Sequence, residues 1–171
     1  MMKFLYIAMI ISYSQISLAQ APEVSRDSHG NKILKGFISK QELATDTAFS
    51  WFAKNQHGYV PEQNALQAFK ANKDSINIIA FAGTWCSDTK TILPKFYILA
   101  DAAGLSPDHI TLIGVDRSKK TIQHLSEAFG IINVPTFIVM RNGVEIGRVV
   151  EYGKYGMFDK ELGEIVSGSK H

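Results

Sequence analysis

Apolar residues change their period several times along the chain, and each change marks an element. From Ile76 to Ala82 every residue except Asn77 is apolar, with isoleucine at three positions, as expected of a strand buried on both faces. Ile110 to Val115 repeats that pattern. Between them the period lengthens: Ile92, Leu93, Phe96, Leu99 and Ala100 define the inner face of a helix over about Thr89–Ala103, with Pro94 as a kink. Lys119 to Phe129 is amphipathic through Ile122, Leu125 and Phe129, and Gly130 ends it. Phe137–Met140 is a further strand. Asn142-Gly143, where both positions tolerate positive φ, turns it back into Val144–Val150. A closing helix covers about Met157–Val166. Strand, helix, strand, helix, strand, strand, helix describes an α/β fold: a mixed central sheet with a parallel pair joined by a crossover helix, then a hairpin, and helices on both faces.

Upstream of Ile76 the pattern is less regular. Gln20 to about Lys35 is polar and aperiodic, and reads as an extended arm or loop. Ser39 with Glu42 has the spacing of a capping box. It opens a helix to about Lys54 whose stripe of Leu43, Thr47, Phe49, Trp51 and Phe52 is packing. Pro61 opens another, with Ala65, Leu66, Ala68 and Phe69 inward and Asn72-Lys73-Asp74 at its end. The first residues belong to no fold. Lys3, the apolar run Phe4–Ile11 and the small residues of Ser17-Leu18-Ala19 have the form of a signal peptide, with Gln20 as the new N-terminus. The run is shorter than the ~20 apolar residues a membrane span needs. The expected organisation is therefore a signal peptide at 1–19, an N-terminal arm and helical extension at 20–74, and the main domain at 75–171. The chain is expected to be exported, to a periplasm or the exterior, and to keep no membrane attachment after cleavage.

With 171 residues, 46% apolar and 20% charged, the chain has room for one domain with a sizeable core. A formal charge of +2 and the absence of a dense basic block argue against nucleic acid as a partner. Arg117-Ser118-Lys119-Lys120, the densest basic run, reads as a solvated helix start. His29, His57, His109, His124 and His171 lack metal-ligand spacing, and no phosphate-cradling or hydrolase motif is present. No cofactor is called for. Cysteine changes the picture. Export allows disulfides, yet Cys86 is the only cysteine, so none can form within the chain. Such a thiol is either buried and inert, or exposed and paired with another molecule.

The run Ala82-Gly83-Thr84-Trp85-Cys86-Ser87-Asp88-Thr89-Lys90 resembles the strand–Trp-Cys-x-x-Cys–helix junction of the thioredoxin superfamily, with Thr89 at the second cysteine's position. Pro94 stands where that family has a helix-kinking proline, and Val134-Pro135-Thr136 resembles its cis-proline loop. The resemblance implies a thioredoxin fold from about residue 75 onward, with the helical stretch before it as an extension. It implies Cys86 and Thr89 as catalytic positions, and Trp85, Val134, Pro135 and Thr136 as a surface for an extended substrate. Three departures matter: Thr89 replaces the resolving thiol, and Ala80 and Leu112 stand where the family has a buried acid and a buried lysine. At a helix mouth, unpaired N–H groups and the helix dipole favour a thiolate. A Thr89 hydroxyl bond to the sulfur and the charge of Lys90 would help, and Asp88 would oppose. Two readings stay open. One is a monomeric monothiol protein that exchanges disulfides with a protein thiol or disulfide substrate and needs an external resolving thiol. The other is a redox-inactive module that binds an extended protein segment.

Overall fold

The computed structural model describes residues 21–168; the expected signal peptide lies outside them. In chain order the elements are β1 (Glu23–Arg26), β2 (Lys32–Ile38), α1 (Lys40–Thr45), α2 (Trp51–Lys54), α3 (Gln63–Asn72), β3 (Asn77–Ala82), α4 (Ser87–Ala103), β4 (Ile110–Gly114), α5 (Leu125–Ala128), β5 (Thr136–Arg141), β6 (Val144–Val150) and α6 (Phe158–Ser167). One six-stranded sheet runs in the order β1-β2-β4-β3-β5-β6. Strands β3 and β4 are parallel, as the crossover through α4 requires, and every other neighbouring pair is antiparallel. Asn142 and Gly143 both take positive φ in the β5–β6 turn.

Three sequence expectations need correction. The segment read as an arm is the hairpin β1–β2, and β2 joins the central sheet beside β4. Ile33, Leu34 and Ile38 are buried there. The strand fits because Gly36 lies opposite Gly114, and a Cβ on Gly114 would run into the Leu34 carbonyl. Residues 21–74 thus share a sheet and a core with the rest. The amphipathic stretch 119–129 is the second case. It is not one helix but a loop, a 3-10 turn and the single-turn α5, with Lys119, Gln123 and His124 at positive φ. Side chains compete for its backbone: Asp116 Oδ1 accepts from the Ser118 and Lys120 N–H groups, and the Thr121 hydroxyl donates to the Gly114 carbonyl at 2.7 Å. The stretch 39–54 is also broken, into α1, a 3-10 turn and α2, though the Ser39–Glu42 capping box forms.

The sheet separates two apolar layers. On one face Leu34, Ile78, Ala80, Leu112, Phe137 and Val139 pack beneath α1–α4 and α6. Phe96 of α4 meets Phe137 with ring centroids 4.7 Å apart. Helices α3 and α6 touch backbone to backbone, where a Cβ on Gly163 would overlap Ala65. On the other face Phe81, Ile113, Val115, Val134 and Ile138 pack against Leu125, Phe129 and Ile131 and against the loop that carries Trp85 and Cys86.

Candidate active site around Cys86

Strand β3 ends at Ala82, and the chain turns through Gly83-Thr84-Trp85 before Cys86 caps the N-terminus of α4. The turn is closed twice: the Cys86 N–H donates to the Gly83 carbonyl at 2.8 Å, and the Gly83 N–H donates to Thr89 Oγ1 at 3.2 Å. The Thr84 hydroxyl donates to the Lys32 carbonyl at 2.9 Å and ties the turn to β2. Cys86 is partly exposed. Its Sγ donates to the Val134 carbonyl at 3.2 Å, so two distant segments meet at the sulfur. The Val134–Pro135 peptide is cis.

Of the residues singled out from the sequence, Cys86 and Val134 come together directly, and Trp85 lies beside them. Pro135 is buried just behind, its carbonyl accepting the Glu151 N–H at 2.7 Å. Two expected roles change. Thr89 is fully buried, and its hydroxyl oxygen is taken by Gly83 rather than by the sulfur. Thr136 is also buried, and its hydroxyl proton goes to the Asn133 carbonyl at 2.7 Å, which shapes the loop. Ala80 and Leu112 are paired in the parallel register of β3 and β4, both within the apolar layer under the helices, so no titratable group stands at those positions. Among the described residues no three His, Cys, Asp or Glu side chains cluster as metal ligands would, and no helix is long and apolar enough to cross a membrane.

The rim holds residues that sequence reasoning passed over. The Trp85 indole N–H donates to the Val115 carbonyl at 3.1 Å, and the ring lies so close to Gly83 that a Cβ there would meet it at 2.8 Å. The Arg117 guanidinium stands 5.1 Å from the ring centroid. Arg117 is not part of a helix start: its Nε and Nη2 donate to Asp27 Oδ2 at 2.9 and 2.6 Å, reaching the β1–β2 turn. Burial alone would raise the Asp27 carboxyl. Hydrogen bonds from the side chains of Arg117 and Asn31 and from the backbone of Asn31 and His29 outweigh it and hold the group well below the usual carboxylate range. Lys90 and Lys119 donate to the side-chain oxygens of Asn31 and Asn133, each at 3.3 Å. The usable signal was local: Asp27 with Gly30 and Asn31 has the composition of a side-chain-stabilised turn.

The family model for thioredoxin matches residues 60–161. A thioredoxin from Echinococcus granulosus is 30% identical over 84 residues, covering 49% of this chain and 73% of that protein. Thioredoxin H2-2 from Oryza sativa subsp. japonica is 28% identical over 103 residues, covering 60% and 71%. Among solved structures, a protein of unknown function from Pseudomonas aeruginosa superposes with a TM-score of 0.56 at 14% identity, over 79% of this chain and 94% of that one, a likeness of fold alone. The family match takes in both the junction that presents Cys86 and the loop that faces it, and with the sheet order around them it shows that the chain belongs to the thioredoxin family.

Proposed function

We propose that the chain is an exported monothiol member of the family, which exchanges disulfides through Cys86 and depends on a thiol from another molecule to complete the cycle. The observation that carries this reading is the placement of Cys86: a partly exposed sulfur at the mouth of α4, against the loop of Val134 and Pro135. In the forward step the Cys86 thiol releases its proton to solvent, and the thiolate attacks one sulfur of a substrate disulfide. The Cys86–substrate S–S bond forms as the other substrate sulfur leaves as a thiolate. In a dithiol protein a second cysteine would then displace the substrate, but Thr89 has no sulfur and is sealed beneath the turn. A low-molecular-weight or protein thiol must attack the mixed disulfide instead. Trp85 and the backbone of Val134 are the surfaces on which an extended substrate would lie. The leader pattern at 1–19 supports an oxidising compartment, where disulfide partners are available.

The competing reading, a binding module that retains an unused cysteine, is favoured by one observation: Ala80 and Leu112 are paired apolar residues at the positions where the resemblance implies a proton-handling acid and lysine. Incubating the protein with a cystine-bridged peptide separates the two. The expected result is a one-to-one mixed disulfide seen by mass, absent in Cys86→Ser and released by added glutathione. No adduct with the folded protein, while the unfolded chain reacts fully, would sink the monothiol reading. Insulin-disulfide reduction should sit near background and rise in Thr89→Cys, where an internal resolving thiol is restored.

A further inference from the structure

The geometry points to Asp27 and Arg117 as positioning residues that fix the Trp85 indole as a wall of the substrate site, so that the N-terminal hairpin belongs to the active-site apparatus; this inference rests on the monothiol reading of Cys86. The indole is held on three sides. Its N–H is anchored on the Val115 carbonyl, one part of the ring lies on Gly83, and Arg117 stands over the ring within cation–π distance. The Arg117 side chain extends from the surface turn 116–120, whose own bonds are among its backbone and the Asp116 side chain. Asp27 supplies the constraint. Its carboxylate is 3% exposed, whereas the Arg117 side chain is 47% exposed. The carboxylate also accepts from the His29 N–H, the Asn31 N–H and the Asn31 amide, so the acceptor is rigid before the guanidinium arrives. The chain of contacts therefore runs from a locked turn, through a two-bond ion pair, to an aromatic ring whose next residue is Cys86. Lys90 to Asn31 adds a second link between the hairpin and α4.

A wall of this kind affects a substrate that lies across the indole and has little effect on a reagent that needs only the sulfur. The test therefore uses two neutral oxidants, a cystine-bridged peptide and 2,2′-dithiodipyridine, together with acrylamide quenching of Trp85 in a Trp51→Phe background. In Arg117→Ala and Asp27→Asn the indole should become more accessible to quencher. The peptide rate divided by the dithiodipyridine rate should fall about fivefold, the size expected of one cation–π contact. Arg117→Lys, which keeps the charge and loses the fork, should recover part of that ratio. Unchanged quenching in both variants overturns the inference, because the pair would not be holding the ring. So does an equal fall with both oxidants, which would place the effect on the sulfur. If the parent protein reacts with neither oxidant the monothiol reading fails, and quenching alone then decides whether the hairpin fixes the ring.

Discussion

The two faces of the sheet are built to different depths. One carries α1 to α4 and α6 over a continuous apolar layer that includes Phe49, Phe52, Phe69, Phe96, Phe137 and Leu162. The other has a smaller layer around Phe81, Ile113, Val115 and Ile138, covered by the single turn of α5 and by loops. Burial of large side chains is the main source of stability, so the deep face sets most of the folding free energy. The shallow face carries the sulfur. Side-chain-to-backbone bonds help to hold its loops, such as the Gly83 N–H to Thr89 Oγ1 and the Trp85 indole N–H to the Val115 carbonyl. Bonds of that kind fix direction well and contribute modest stability each. The fold thus keeps its reserve of stability away from the surface on which Cys86 is partly exposed.

The sharpest way to break this contrast is to delete one ring from each face. Phe96 is fully buried and touches both Phe137 and Tyr97. Phe96→Ala should destabilise by about 3–5 kcal/mol. Phe129 covers Phe81 at 5.6 Å but is itself partly exposed. Phe129→Ala should lose roughly half as much, because less area leaves water on folding. Urea unfolding at equal slope decides it; equal losses would mean that the faces share the load.

The next effect tests how the site turn is held. Thr89→Val keeps volume and removes the acceptor of the Gly83 N–H, which then lies buried without a partner. A loss of about 1–3 kcal/mol is expected. Alkylation of Cys86 should speed up as the turn loosens, a change that Phe96→Ala should not reproduce below its unfolding transition. A Thr89→Val protein of full stability and unchanged alkylation rate would show that the hydroxyl is dispensable.

The same contrast explains what could be read from the sequence. Much of the deep face was legible because its signals are local: the β3 and β4 runs, the α4 stripe and the Asn142-Gly143 turn. Cys86 and Pro135 were legible through their motifs. Strand β2 was not, since Lys35 and Gly36 interrupt its apolar residues and its place depends on Gly36 meeting Gly114 of a strand far along the chain. The break in 119–129 was hidden too. Its apolar spacing is helical, but Asp116 and Thr121 give the backbone other partners. The rim of the site was the least legible part, for Asp27 and Arg117 are 90 residues apart and neither carries a motif.

The smallest effect concerns that pair and has a definite sign in pH. Asp27 is held below its ordinary range in the folded protein, so it binds its proton less readily folded than unfolded. The carboxylate, with its bonds from Arg117, Asn31 and His29, therefore contributes stability in full above the unfolded carboxylate value near ~3.9, and the contribution disappears as pH falls through the lower folded value. Asp46, Glu127 and Glu145 are held low in the same direction, by Lys32, Lys120 and Arg148 respectively, and stay in place when Asp27 is changed. Asp27→Asn should accordingly narrow, and not abolish, the drop in urea midpoint between about pH 7 and about pH 3. An undiminished drop would mean that Arg117 rests on Trp85 without help from the hairpin. The hairpin would then reach the site through the Thr84–Lys32 and Lys90–Asn31 bonds and not through Arg117.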